Sequence, residues 1–173
     1  IYNDLSKKGK AFHWYASKQL SRIYIQDNNK EKALKLLSNA YKNLINKDIY
    51  VTFDYAEFLK NNEKFKESIP YYTKILNEVE KSHPLYVEAT DGRGVAYERI
   101  GEWDKAEKDL LLSLEIDPDQ AYVINYLAYS WIEKGINIQK SLEMLEKANK
   151  LRSNDPYITD SLGWALFKLE RYK

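Results

Sequence analysis

The sequence contains no cysteine in its 173 residues, which excludes disulfide bonds, thiol nucleophiles and cysteine-based zinc sites. Its two histidines, His13 and His83, lie far apart along the chain and leave little for a metal centre. Neither sign of charge is in excess, because 27 Lys and Arg stand against 26 Asp and Glu. Nucleic-acid binders normally carry a basic surplus that neutralises phosphates. We therefore expect no nucleic-acid partner.

Long hydrophobic runs and helix-breaking residues are also scarce. The longest apolar stretch, residues 121–132, is too short to cross about 30 Å of hydrocarbon, so no transmembrane segment is predicted. Only 4 Pro and 6 Gly interrupt the chain, as expected of a mostly helical protein.

No catalytic motif is recognisable. Residues 92–94 (Gly-Arg-Gly) resemble the start of a phosphate-binding loop, but Tyr97 replaces its third glycine. Nucleophile-elbow, Walker and His-Glu-x-x-His sequences are absent. The sequence therefore predicts a protein that is not an enzyme and needs no cofactor.

What the sequence does contain is a repeat. Small residues recur in two columns at spacings of 34 to 38 residues. The first column is Ser21, Ala56, Gly94, Ala128 and Gly163, and the second is Ala33, Ser68, Ala106 and Ser141. Large apolar residues follow at helical spacing, such as Tyr97 after Gly94 and Leu110 after Ala106.

Each repeat is predicted to be a pair of antiparallel helices. Small residues let two helix backbones approach, while large neighbours fill the groove between them. Gly101 and Gly135 stand where the first helix of a pair ends, a position that favours glycine in a left-handed conformation. Pro84, Pro118 and Pro156 fall between pairs, where no helix has to continue.

This pattern resembles the tetratricopeptide repeat (TPR) family, whose unit is a helix-turn-helix of about 34 residues. Residues 87–120 fit it best, with family-favoured residues at Gly94, Tyr97, Gly101, Trp103, Ala106 and Pro118. Arg93 departs from the pattern, because a large apolar residue is usual there. The resemblance implies an all-α fold, a right-handed superhelical TPR solenoid of antiparallel helix pairs with about four and a half repeats.

The repeats are predicted to form a single TPR domain, residues 1–173. They span residues 14–48, 49–86, 87–120 and 121–155, with one inserted residue near Asn137 and a half repeat at 156–173. Residues 1–13 are predicted to be the tail of a preceding helix. The C-terminal half, including residues 160–164 (Asp-Ser-Leu-Gly-Trp), resembles bacterial TPR proteins that are often exported or lipoproteins. That resemblance favours the bacterial envelope or periplasm over the cytoplasm.

The family binds peptides or protein partners on the open face of the first helices, which implies a non-enzymatic protein-protein interaction scaffold with a concave groove. At about 100° per residue, positions 2, 5, 9, 12 and 13 of a repeat share that face. In the first repeat this stripe includes Lys18, Arg22, Ile25 and Gln26. Ten stripe residues are predicted to contact the partner: Tyr50, Phe53, Asp91, Val95, Arg99, Tyr122, Asn125, Tyr129, Asp160 and Trp164.

Several alternatives remain open at this stage. Tyrosines at position 2 could pack on a neighbouring unit instead of a ligand. The half repeat could mediate self-association through an open apolar flank around Leu162, Ala165 and Leu169. The chain could also be an adaptor segment of a larger enzyme or of an envelope-assembly protein. A clamp for a terminal carboxylate is incomplete, because Lys18 and Arg22 are followed by acidic residues in the next units.

Overall fold

Helices form all of the regular secondary structure in the computed structural model, which describes residues 10–44 and 47–169. In those residues there is no β-strand, and the helices are α1 (Lys10–Gln26), α2 (Lys30–Asn43), α3 (Ile49–Asn61), α4 (Phe65–Glu78), α5 (Pro84–Arg99), α6 (Trp103–Ile116), α7 (Ala121–Glu133), α8 (Ile138–Leu151) and α9 (Pro156–Lys168). The all-α prediction is confirmed.

Consecutive helices pack as hairpins. α1 lies against α2, α3 against α4 and α7 against α8, and the short turn within each pair makes its two helices antiparallel. Hairpins of this kind are the unit that the sequence predicts, while the bounds of the repeats and the single domain stay predictions. Residues 10–13 belong to the first turn of α1, while the rest of the predicted N-terminal tail, residues 1–9, lies outside the described residues.

The chain divides into two compact units, Ile1–Gly92 and Arg93–Lys173, with the border inside α5. The first unit has an aromatic core. Tyr41 and Tyr55 stack with ring centroids 4.4 Å apart, and Trp14 and Tyr71 meet them edge-on. Each such ring pair contributes about 0.5–1.5 kcal/mol beyond simple burial.

The second unit has a more aliphatic core. Leu110, Leu127 and Trp131 form one buried cluster, and Ile132 and Leu145 belong to a second. The indole Nε1 of Trp131 donates a hydrogen bond to Glu107 Oε1 at 2.5 Å, so the polar edge of this buried ring is satisfied.

The small-residue columns lie where helices touch. Eight of the nine positions are buried, and a Cβ added to Gly94 would lie 3.1 Å from Leu110 Cγ. Gly163 is the exception: it is exposed, and an added Cβ would meet nothing within 4 Å in the described structure. The prediction that these small residues lie at helix contacts is therefore confirmed except at Gly163, where no described helix packs over the small residue.

The half repeat differs from the prediction in one respect. Its flank at Ala165 is not open, because α9 packs against both α7 and α8 and buries this residue completely. Leu162 and Leu169 are half-buried against the same cluster. Less apolar surface is therefore left for self-association through this flank than the sequence indicates.

The helix ends follow the local sequence. Gly101 and Gly135 adopt φ of 83° and 71°, as predicted for glycines that end a helix. The inserted residue of the fourth repeat is accommodated at Asn137, which is left-handed with φ of 50°. At the start of α9, the Asp155 side chain accepts hydrogen bonds from the backbone N–H groups of Tyr157 and Ile158.

Arg93, the departure from the family pattern, has a partner within the second unit. Its Nε donates to Asp109 Oδ2 at 2.7 Å and its Nη2 donates to Asp109 Oδ1 at 2.9 Å. Asp109 is buried, so this bidentate pair replaces apolar packing between α5 and α6. An arginine is tolerated at this position because the carboxylate satisfies its charge.

A second polar cluster lies in the first unit, between α3, α4 and α5. The Tyr72 hydroxyl donates to Glu57 Oε1 at 2.5 Å, and Lys60 Nζ donates to the same oxygen at 2.7 Å. Burial raises the pKa of the neighbouring Asp91 carboxyl to about 6; Lys60 opposes the rise, and Glu57 and Glu88 add to it.

We expect Asp109→Ala to lower the free energy of unfolding by about 3 kcal/mol, because it leaves the Arg93 guanidinium without its buried partner. Urea unfolding followed by circular dichroism measures the change. As a control, Arg93→Leu combined with Asp109→Leu should recover most of the loss, since apolar side chains then fill the contact. Equal destabilisation by both variants would contradict this account of the ion pair.

Asp91 should make stability depend on pH. Its folded-state pKa is about 6, above the ordinary 3.8, so its contribution to stability is greatest at low pH and declines as the pH rises to about 6. Asp91→Asn removes the ionised form and should increase the free energy of unfolding at pH 8 by up to about 3 kcal/mol, with little gain at pH 4. A gain of the same size at both values, measured by urea unfolding, would be inconsistent with a raised pKa.

Candidate functional site

The ten predicted contact residues are distributed over both units. In the first unit, Tyr50 is exposed and its ring lies near that of His83, with centroids 6.0 Å apart and planes inclined by 54°. Phe53 is half-buried, with its ring edge-on to Tyr72 at 6.3 Å. Asp91 belongs to the polar cluster described above. These three residues thus make contacts within the unit.

Other stripe residues of the first unit do share a cavity of about 420 Å³ between α1 and α3. From the predicted stripe its lining includes Lys18, Arg22, Ile25, Gln26, Glu57 and Asn61. Lys18 Nζ lies 2.5 Å from Asp54 Oδ2, so this ammonium group is already paired within the unit. The pairing agrees with the expectation that a carboxylate clamp is incomplete here.

In the second unit, two predicted residues pack within the fold. Val95 is half-buried against the Leu110 cluster. The Tyr122 hydroxyl donates to Asp155 Oδ2 at 2.8 Å, and the Arg152 guanidinium lies 4.7 Å from the Tyr122 ring centroid. This hydrogen bond lowers the pKa of the Asp155 carboxyl. A position-2 tyrosine can therefore pack on the turn at the end of its own repeat.

Three other predicted residues come together in one open groove of about 620 Å³ between α7 and α9, which we call the α7/α9 groove. Its lining comprises the predicted Tyr129, Asp160 and Trp164, together with Glu133, Thr159, Gly163 and Phe167. Its aromatic surface is accessible, because Tyr129 is 39% and Phe167 is 55% exposed. Exposed aromatic clusters of this kind are typical of interaction surfaces.

A second cavity, of about 290 Å³, adjoins this groove between α5 and α7. Tyr129 and Glu133 border both cavities, and Arg99 lines the second one. Arg99 is exposed, with its Nε 3.7 Å from Glu98 Oε2. The two cavities thus follow one another along the first helices of successive repeats.

Carboxylates hold two rings at these cavities in place. Trp164 Nε1 donates to Glu133 Oε1 at 2.6 Å, and the Tyr126 hydroxyl donates to Glu98 Oε2 at 2.7 Å. In each case the ring lies on the first helix of one repeat and the carboxylate on the first helix of the repeat before. Burial is the main cause of a raised pKa at Tyr126, and the hydrogen bond to Glu98 adds to it. The hydroxyl therefore remains a donor near neutral pH.

Trp164 has further contacts on its own helix. Its ring stacks on Phe167 with centroids 5.3 Å apart and planes inclined by 14°. Lys168 Nζ lies 4.7 Å from the centroid of the Trp164 ring. The Trp164 ring is therefore constrained from several directions before any ligand binds.

Asn125 lies one helical turn before Tyr129 on α7. Its side-chain Oδ1 is buried and has no hydrogen-bond partner in the described structure. Asn125 lines neither of the two cavities, so the prediction that it contacts a partner stays a prediction.

The ten-residue prediction omitted part of the observed lining. Glu133 and Phe167 lie on the predicted stripe, at its positions 13 and 12, but were not among the ten residues chosen from it. Tyr126 is not on the stripe. It lies three residues before Tyr129 on the same helix, and this spacing is the sequence signal that both side chains are neighbours.

In the described part of the chain, no group of three or more His, Asp or Glu residues is placed to hold a metal ion. Nor is any helix there long and apolar enough to span a bilayer.

Comparisons with known proteins agree with this repeat architecture, although no protein-family model matches the sequence. A TPR repeat-containing protein of Pseudomonas aeruginosa is 28% identical over 113 residues, or 65% of this chain. The chain spans only 18% of that relative's length.

Solved structures share the fold at low sequence identity. TPR-like repeats assigned to a kinesin light chain of Podospora anserina match with a TM-score of 0.70 and 18% identity, over 92% of this chain and 88% of that one. YrrB, described as a TPR protein with an unusual peptide-binding site, matches with a TM-score of 0.64 and 18% identity, over 87% of this chain and 73% of YrrB. Sequence periodicity, helical hairpins and these similarities agree on an all-α fold of TPR-like helical hairpins.

Proposed function

We propose that this protein is a non-catalytic scaffold that binds a peptide segment of a partner protein, and that the α7/α9 groove is one of its contact sites. The observation that carries the proposal is a groove with exposed rings at Tyr129 and Phe167 beside a ring, Trp164, that is already held in place. The peptide-binding site named for the structurally similar YrrB supports this class of function.

The physical basis of binding is pre-organisation. The Glu133–Trp164 hydrogen bond and the Trp164–Phe167 stack fix side chains that would otherwise lose rotamer freedom on binding. Most of the conformational entropy lost on binding is then that of the ligand. A peptide groove of this kind typically binds at micromolar concentration, which corresponds to about −8 kcal/mol.

The neighbouring cavity extends the same surface. Its shared border at Tyr129 and Glu133 allows an extended ligand to continue towards Arg99.

Tyr129→Ala combined with Phe167→Ala should weaken peptide binding at least about tenfold, because it removes the two exposed rings of the groove. The ligands for the test are random 12-residue peptides selected on the unmodified protein by phage display, and fluorescence polarisation measures their Kd values. The far-ultraviolet circular dichroism spectrum should stay unchanged.

Tyr157→Ala is the matched control, because Tyr157 is a 76% exposed ring on the same helix as Phe167 but does not line the groove. It should leave the Kd within about twofold of the unmodified protein. Peptides that bind equally well to all three proteins would exclude the α7/α9 groove as the contact site.

A further inference from the structure

The lining of the α7/α9 groove combines aromatic rings with carboxylates, so all of its charge is negative. Glu133 and Asp160 are the charged residues of its lining, and the lining contains no Lys or Arg. The rings of Tyr129, Trp164 and Phe167 form the rest of its wall together with Thr159 and Gly163. A ligand is therefore met by aromatic faces and carboxylates at the same time.

Neither carboxylate is neutralised by an ion pair in the described structure. The Glu133 carboxylate accepts a hydrogen bond from Trp164 Nε1, which is a neutral donor and leaves the negative charge in place. Asp160 is exposed on α9 and has no ion-pair partner among the described residues. Lys168 Nζ lies 4.7 Å from the centroid of the Trp164 ring and Lys134 Nζ lies 4.7 Å from that of Trp103. Neither ammonium group forms an ion pair with Glu133 or Asp160 in the described structure.

This combination favours one kind of ligand side chain. An arginine guanidinium is planar, donates to carboxylates through two N–H groups and stacks on aromatic faces, and its aliphatic stem covers apolar surface. A neutral or acidic ligand would leave the two carboxylates uncompensated or would repel them. The wider charge distribution acts in the same direction, since residues 87–173 contain 16 acidic and 12 basic residues.

We propose that an arginine side chain of the bound peptide occupies the α7/α9 groove, paired with Glu133 and Asp160 and packed on Tyr129 and Phe167. This inference rests on the proposed function and specifies the ligand. The peptide is recognised by the charge and the planar guanidinium of that arginine, and nearby carboxylates increase the association rate at low ionic strength.

The test uses the peptides selected on the unmodified protein and a charge-neutral variant, Glu133→Gln with Asp160→Asn. Gln keeps an oxygen that accepts the Trp164 hydrogen bond, so the variant removes charge and preserves the position of the ring. We expect enrichment of arginine among the selected peptides and a Kd about tenfold weaker for the variant. Replacing the arginine by neutral citrulline should cause a similar loss, and the two changes together should cost little more than either one alone.

Glu115→Gln with Glu146→Gln is the control, because it also removes two exposed carboxylates of the same unit, on α6 and α8, outside the groove lining. It should leave the Kd unchanged. Raising the salt from 50 to 500 mM should weaken binding to the unmodified protein and to this control, and should affect the charge-neutral variant less.

The outcomes separate this inference from the proposed function. Peptides that need Tyr129 and Phe167 but show no arginine enrichment, or bind the charge-neutral variant equally well, would overturn the arginine assignment and leave peptide binding in place. Failure to select any peptide that depends on Tyr129 and Phe167 would overturn both.

Discussion

Close approach of paired helices is the constraint on which the rest of this structure depends. A Cβ added to Gly94 would lie only 3.1 Å from Leu110 Cγ across the α5–α6 contact, so a larger residue would force its neighbour to shift. Packing at this density fixes how one helix of a pair is oriented on the other. It therefore decides which residues of the first helix turn inward and which remain available at the surface.

The repeat architecture could be predicted because it depends on the size and the spacing of residues along the sequence. The buried positions Ala56, Gly94 and Ala128 recur at spacings of 38 and 34 residues, and Gly101 and Gly135 adopt the left-handed conformation expected at their positions. These signals are local or periodic, so a single sequence reveals them. The environment of Gly163 could not be read in the same way, since it depends on which other element packs over it.

The candidate site was less predictable, because a helical wheel assigns faces and does not assign partners. The wheel placed Tyr122 and Tyr129 on the same stripe, yet the hydroxyl of Tyr122 is bonded to Asp155 while Tyr129 borders two cavities. The wheel likewise gives no sign that Glu133 accepts a hydrogen bond from Trp164. Such contacts depend on rotamers and on neighbouring repeats, which spacing alone does not specify.

Tyr129 and Glu133 form a common wall of two adjoining cavities. In the peptide complex proposed above, successive residues of the ligand would therefore contact the same ring and the same carboxylate. Preferences at neighbouring ligand positions should then be correlated instead of independent. Selectivity in such an array resides in pairs of adjacent residues, and a consensus derived one position at a time would underestimate it.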